Sequence, residues 1–84
     1  MVKEVTPREW GELLEVWESA VRATHDFISE EDLQFYKKAI PERYLPELCV
    51  YCLRNEAGRM LGFLGVSASE IEMLFVRDEA RGRG

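Results

Sequence analysis

The chain has 84 residues and a mass of 9.8 kDa, enough for one small domain and not for two. Its 46% hydrophobic and 32% charged residues are the proportions of a folded globular chain, not of a disordered one. Eleven basic against sixteen acidic residues leave a net charge of −5, which excludes a general nucleic-acid-binding surface with its basic stripe.

That charge is unevenly spread. Residues 1–32 hold nine acids and three bases, whereas residues 77–84 hold three arginines and two acids. Met1–Trp10 contains no apolar leader segment. No run approaches the ~18 apolar residues of a membrane span. Two cysteines without a secretory signal predict free thiols and a cytoplasmic protein.

Val2, Glu4 and Val5 predict a short first strand. Thr6-Pro7-Arg8-Glu9 reads as a helix start: Thr6 can cap, Pro7 suits the first helical position and Glu9 completes a capping box. Trp10, Leu13, Leu14, Trp17, Ala20 and Val21 recur at three and four residues and make one apolar face to about Ala23. Glu12, Glu15 and Glu18 occupy the opposite face, a solvated surface that would also attract a cationic amine. Thr24-His25-Asp26-Phe27 breaks the pattern. Ser29 is a second N-cap, followed by Glu30, Glu31 and Asp32, where the helix dipole favours anions. Ile28 and Leu33 suit a staple across that cap, and Leu33, Tyr36 and Ile40 form the second apolar stripe. Pro41 and Pro46 punctuate the next segment, with one helical turn around residues 42–44.

From Glu47 the period changes. Residues 48–53, 60–66 and 71–76 predict three strands joined by turns at 55–58 and 67–69, an antiparallel meander. The fold class is therefore α+β: strand, helix, helix, then three strands. The strands are apolar on both faces, yet two helices cover only one. Cys49 and Cys52 have the C-x-x-C spacing, but positions i and i+3 of a strand point to opposite faces, so no metal or redox pair is expected.

Arg81-Gly82-Arg83-Gly84 comes after an apolar strand and a polar turn. A glycine-rich turn between a strand and a helix holds phosphate through backbone N–H groups and the helix dipole. The segment from Leu74-Phe75-Val76 to Gly84 resembles the acetyl-coenzyme A-binding core of the GNAT superfamily of N-acetyltransferases. There the fourth strand leads into Arg/Gln-x-x-Gly-x-Gly/Ala at the start of a long helix. Arg81 to Gly84 match the first four positions of that motif, and the sequence stops before the last two. The order of elements resembles the first half of the same fold. Trp17 to Ser29 is similar to a bacterial, YjaB-like subgroup.

The resemblance implies a single domain over residues 1–84, the N-terminal half of an acyl-CoA N-acyltransferase cut within its pyrophosphate motif. It implies acetyl-coenzyme A as co-substrate. The backbone of Leu74, Phe75 and Val76 would take the pantetheine arm, while Arg81, Gly82, Arg83 and Gly84 would begin the pyrophosphate cradle. The acceptor would be a small-molecule or peptide amine. Glu72 would be the base, or else a solvent-facing residue of an alternating strand. His25 and Asp26 would contact the acceptor, or else cap and pack between the helices. Tyr36 and Tyr44 would line an acceptor pocket or the core edge. The thiolate-protonating tyrosine of the family falls in the absent half, so the chain alone is expected to be inactive. The alternative is a small interaction module that self-associates through its exposed sheet face or edge, as a homodimer, without catalysis.

Overall fold

The computed structural model describes residues 2–24 and 28–80. Strand β1 (Val2–Glu4) leads through a 3-10 turn (Pro7–Glu9) into α1 (Trp10–Thr24). Helix α2 (Glu30–Ala39) runs on into a π-helical turn (Ile40–Tyr44) and a 3-10 turn (Leu45–Glu47). Strands β2 (Cys49–Arg54), β3 (Met60–Val66) and β4 (Ile71–Val76) come next, and a last 3-10 turn covers Asp78–Ala80. The four strands form one antiparallel sheet in the order β1-β2-β3-β4. The α+β class and the meander are as the sequence predicts.

Local chemistry explains the element ends. Glu9 accepts hydrogen bonds from the Thr6 N–H at 2.9 Å and the Thr6 hydroxyl at 3.1 Å. The Ser29 hydroxyl accepts from the Asp32 N–H at 3.0 Å, the N-cap bond expected of α2. Gly58 sits at φ +88°, a conformation that favours glycine, and its N–H donates to the Asn55 carbonyl at 3.0 Å to close the β2–β3 turn.

The core lies between the helices and one face of the sheet. Leu13, Val16, Trp17, Ala20 and Val21 of α1 are buried, with Leu33, Ile40 and Leu45 beside them. Val50, Cys52, Met60 and Phe63 face them from the sheet. Phe63 pairs with Phe75 across the β3–β4 ladder, their rings stacked with centroids 5.6 Å apart. Two details differ from the predicted stripes. Val16 is buried where Trp10 and Leu14 are only partly so. Tyr36 is 44% exposed, because the second helix's stripe turns inward through Leu33, Ala39 and Ile40 instead.

The other face of the sheet is bare among the described residues. Val2, Leu53 and Val76 line up across Gly62, and Tyr51 and Leu74 line up across Leu64. Leu74 is 64% exposed. As two helices allow, the described elements cover one face of this two-sided apolar sheet. Cys49 is exposed and Cys52 buried, both free, on opposite faces as their spacing dictates. No described helix is long and apolar enough to cross a membrane.

Candidate functional site

Helices α1 and α2, the turns after α2, and β4 line an open cavity of about 560 Å³. Ligand pockets commonly span roughly 300–1,000 Å³. Trp17 and Val21 come from α1, Tyr36 from α2, and Ile40, Arg43, Tyr44 and Glu47 from the turns. Leu48 leads into β2, and Glu72, Met73 and Phe75 come from β4. Trp17 is buried, while Tyr36 and Tyr44 are each about half-exposed at the rim. Both tyrosines therefore border a cavity. Gly65 lies beneath two of the lining side chains. A Cβ on it would stand 3.1 Å from Leu48 Cδ1 and 3.6 Å from Met73 Cβ, so a bare glycine lets these two lining side chains close over the sheet.

Glu72 reaches this cavity because β4 slips register. Gly65 pairs with Met73 and the next residue, Val66, pairs with Ile71, which leaves Glu72 without a partner on β3. In an uninterrupted strand Glu72 and Met73 would face opposite sides. An extra residue re-aims its side chain, as a bulge does, and Glu72 lines the same cavity as Met73. Strand alternation alone leaves Glu72 to solvent. With the slip Glu72 lines the cavity while remaining exposed, so both readings of it stand, and the slip carries no sequence signal of its own.

Strand β4 is also the last strand of the sheet, so one of its two edges has no strand partner among the described residues. An open edge presents alternate N–H and C=O groups, which fit an extended, amide-bearing chain. Leu74 and Val76 lie on the bare face, and Phe75 points into the core against Phe63. Their backbone groups on that edge have no strand partner among the described residues.

The chain beyond β4 is tied down by a residue that sequence reading missed. The Arg77 N–H donates to the Leu61 carbonyl at 2.7 Å, and its Nε donates to the Met60 carbonyl at 2.6 Å. Its guanidinium is 5% exposed and stands 3.6 Å from Glu15 of α1. Next to it the Asp78 N–H donates to Ser19 Oγ at 3.2 Å, and Glu79 pairs with Arg59 at 2.9 Å. An arginine after a strand ordinarily reads as solvated, so nothing in the sequence marked its burial.

Two ion-pair groups hold the walls. Glu18 bridges Lys37 at 2.6 Å and Arg22 at 2.7 Å, joining α1 to α2. Arg54 reaches Glu9 at 2.6 Å and Glu12 at 2.8 Å, and Glu12 also accepts the Met60 N–H at 2.9 Å. The bond from Met60 first, and the Arg54 guanidinium after it, hold the Glu12 carboxyl below its usual range. The Lys37 ammonium, then Arg22, do the same to Glu18.

His25, Asp26, Arg81, Gly82, Arg83 and Gly84 lie outside the described residues. Among the described residues no group of three His, Cys, Asp or Glu could hold a metal ion.

No family model matches the chain. Peptidyl-lysine N-acetyltransferase YjaB of Escherichia coli is 33% identical over 79 residues, covering 90% of this chain and 51% of the relative. The solution structure of apo-form YjaB from Escherichia coli matches with a TM-score of 0.85 at 30% identity, over 100% of this chain and 56% of that one. A GCN5-related N-acetyltransferase from Rhodopseudomonas palustris shares the fold at a TM-score of 0.76 and 19% identity, over 99% of this chain and 56% of that one. PaiA N-acetyltransferase from Thermoplasma acidophilum, solved in complex with coenzyme A, does so at 0.80 and 14% identity, over 99% and 62%. The chain spans about half the length of the curated relatives it matches.

Proposed function

The chain is homologous to the YjaB-like GNAT N-acetyltransferases over their N-terminal portion, and from that premise we propose that it forms the acceptor half of an acetyl transfer site. The reaction would move an acetyl group from acetyl-coenzyme A to a primary amine. The observation that carries this reading is the placing of Glu72, in a largely apolar cavity on the strand whose open edge runs beside it. When bound, acetyl-coenzyme A supplies the activated acyl group. The backbone of residues 74–76 would take its amide-bearing arm along that edge. Arg81 to Gly84 would come next, with positive charge and N–H groups for the phosphates. Glu72 would accept the proton of the attacking amine, directly or through one water. Tyr36 and Tyr44 would flank the amine's stem. Lysine, as in the name of the relative, is an amine of this kind. The group that protonates the departing thiolate is proposed to lie in the half not covered, and the 84-residue chain alone to bind without turning over.

Titration of the chain with acetyl-coenzyme A, monitored by backbone amide shifts, tests this. Saturable shifts confined to about Met73–Gly84 are expected. A folded chain that shows none at millimolar ligand would remove the cofactor role from these residues. The bare sheet face favours a second reading, an interaction module without chemistry; both readings expect self-association, and only this one predicts no shift with the cofactor.

A further inference from the structure

The cavity carries charge of both signs. Arg43 and Glu47 lie on the turns after α2, and Glu72 comes from β4, a different wall. None of the three has an ion pair or a side-chain hydrogen bond among the described residues. By contrast, Arg22, Arg54, Arg59 and Arg77 all face glutamates. Arg43 and Glu47 stand four residues apart, the spacing at which a helical pair forms, yet they do not meet. In this order, with the acid C-terminal to the base, that pair is the weaker one, so each group is left available. The same lining includes Tyr36, Tyr44 and Trp17, which suits an aliphatic or aromatic stem.

We infer that the acceptor is amphoteric: an aliphatic amine that also carries a carboxylate, with Arg43 as the residue that selects for it. This rests on the reading of the cavity as the acceptor pocket. Glu72 takes the ammonium end. Arg43 takes the carboxylate, where its planar fork allows two parallel hydrogen bonds that a lysine would not supply. A free amino acid and a peptide with a C-terminal lysine share this chemistry.

The experiment titrates the 84-residue chain with 6-aminohexanoate, pentylamine and hexanoate, without cofactor, and monitors the ring resonances of Trp17, Tyr36 and Tyr44. The expected result is that 6-aminohexanoate binds about three- to fivefold more tightly than pentylamine, the worth of a half-exposed ion pair. Arg43→Gln lowers it to the pentylamine level and leaves pentylamine unchanged. Glu72→Gln weakens both amines and spares hexanoate. Acetyl-Gly-Lys with a free or an amidated C-terminus separates the two sources: a stronger response to the free-acid peptide than to 6-aminohexanoate assigns peptide ends, and the reverse assigns free amino acids. Equal affinity of the two amines for the unaltered chain overturns the inference, as does a loss of both in Arg43→Gln. If no probe binds, the acceptor-pocket reading falls with it, whereas the cofactor titration still decides the role of β4. Arg43 is exposed, so its substitution does not threaten the fold, and far-ultraviolet circular dichroism verifies this.

Discussion

Arg77 shows how much one side chain can do at the end of a strand. Its N–H and Nε satisfy two successive carbonyls of the neighbouring strand, while its Nη2 is buried without a hydrogen-bond partner among the described residues. A buried cation with one loose carboxylate partner is expensive, and the two carbonyl bonds offset that cost only while the side chain remains. Arg77→Ala leaves the Met60 carbonyl without its partner and opens a void beside α1. A loss of about 1–3 kcal/mol is expected, read from the urea midpoint. A midpoint unchanged within error would show that water replaces the guanidinium freely. The two cysteines differ as sharply. Burial pushes the Cys52 thiol up, and its side chain is 2% exposed. Cys49 faces solvent. Alkylation in the native state should therefore label Cys49 alone, and Cys52 only after denaturant is added, as read by mass. Equal labelling of both would contradict the face assignment of β2.

At the scale of the elements, the joints are carboxylates. Glu9 is held low first by the Thr6 N–H and then by Arg54, Glu12 first by the Met60 N–H, and Glu18 first by Lys37. Each is deprotonated in the folded chain at a pH where the unfolded chain, near 4.5, already takes up a proton. Their contribution to stability is therefore complete above that value and is lost as pH falls through the lower folded values. Urea unfolding from pH 7 to pH 3 should show falling stability below about pH 5. Glu12→Gln should flatten part of that slope and cost on the order of 1 kcal/mol at neutral pH, since Met60 and Arg54 lose a charged acceptor. A slope identical in the variant would remove Glu12 from the joint.

The same scale separates the features legible in the sequence from those it hides. Caps, periodicity and turns are local, so Ser29, the α1 stripe and the Gly58 turn could be read directly. The register slip at Glu72 depends on how β3 and β4 pair, and the burial of Arg77 depends on α1 packing across them. Neither is encoded in neighbouring residues. The cavity needs five separate elements to meet, so Tyr36 and Tyr44 could be suspected only as edge residues, and Arg43 and Glu47 carried no signal at all.

At the scale of the whole molecule the bare sheet face decides behaviour. Three strands of six or seven residues and one of three, about 4.8 Å apart at roughly 3.3 Å per residue, make a face of about 350 Å² in projection. A stable interface hides about 800 Å² on each partner. The face alone therefore supports only weak association between copies of this chain, and we propose pairing across it and the open edge of β4 at high concentration. Sedimentation velocity of the chain should show a rising mean mass between micromolar and millimolar protein. Leu74 is the test position, since it is exposed on that face and touches neither the cavity lining nor the core. Leu74→Lys places a charge where two faces would meet and should return the chain to a monomer with an unchanged circular dichroism spectrum. A monomer at every concentration before the substitution would show that the face is tolerated in water as it stands. Association that survives Leu74→Lys would move the contact to another surface. Arg43 lines the cavity on the far side of the sheet, so its ligand preference should be the same in either state. A preference that changed with protein concentration would mean that pairing reaches the cavity through the sheet, by way of the Glu72 slip.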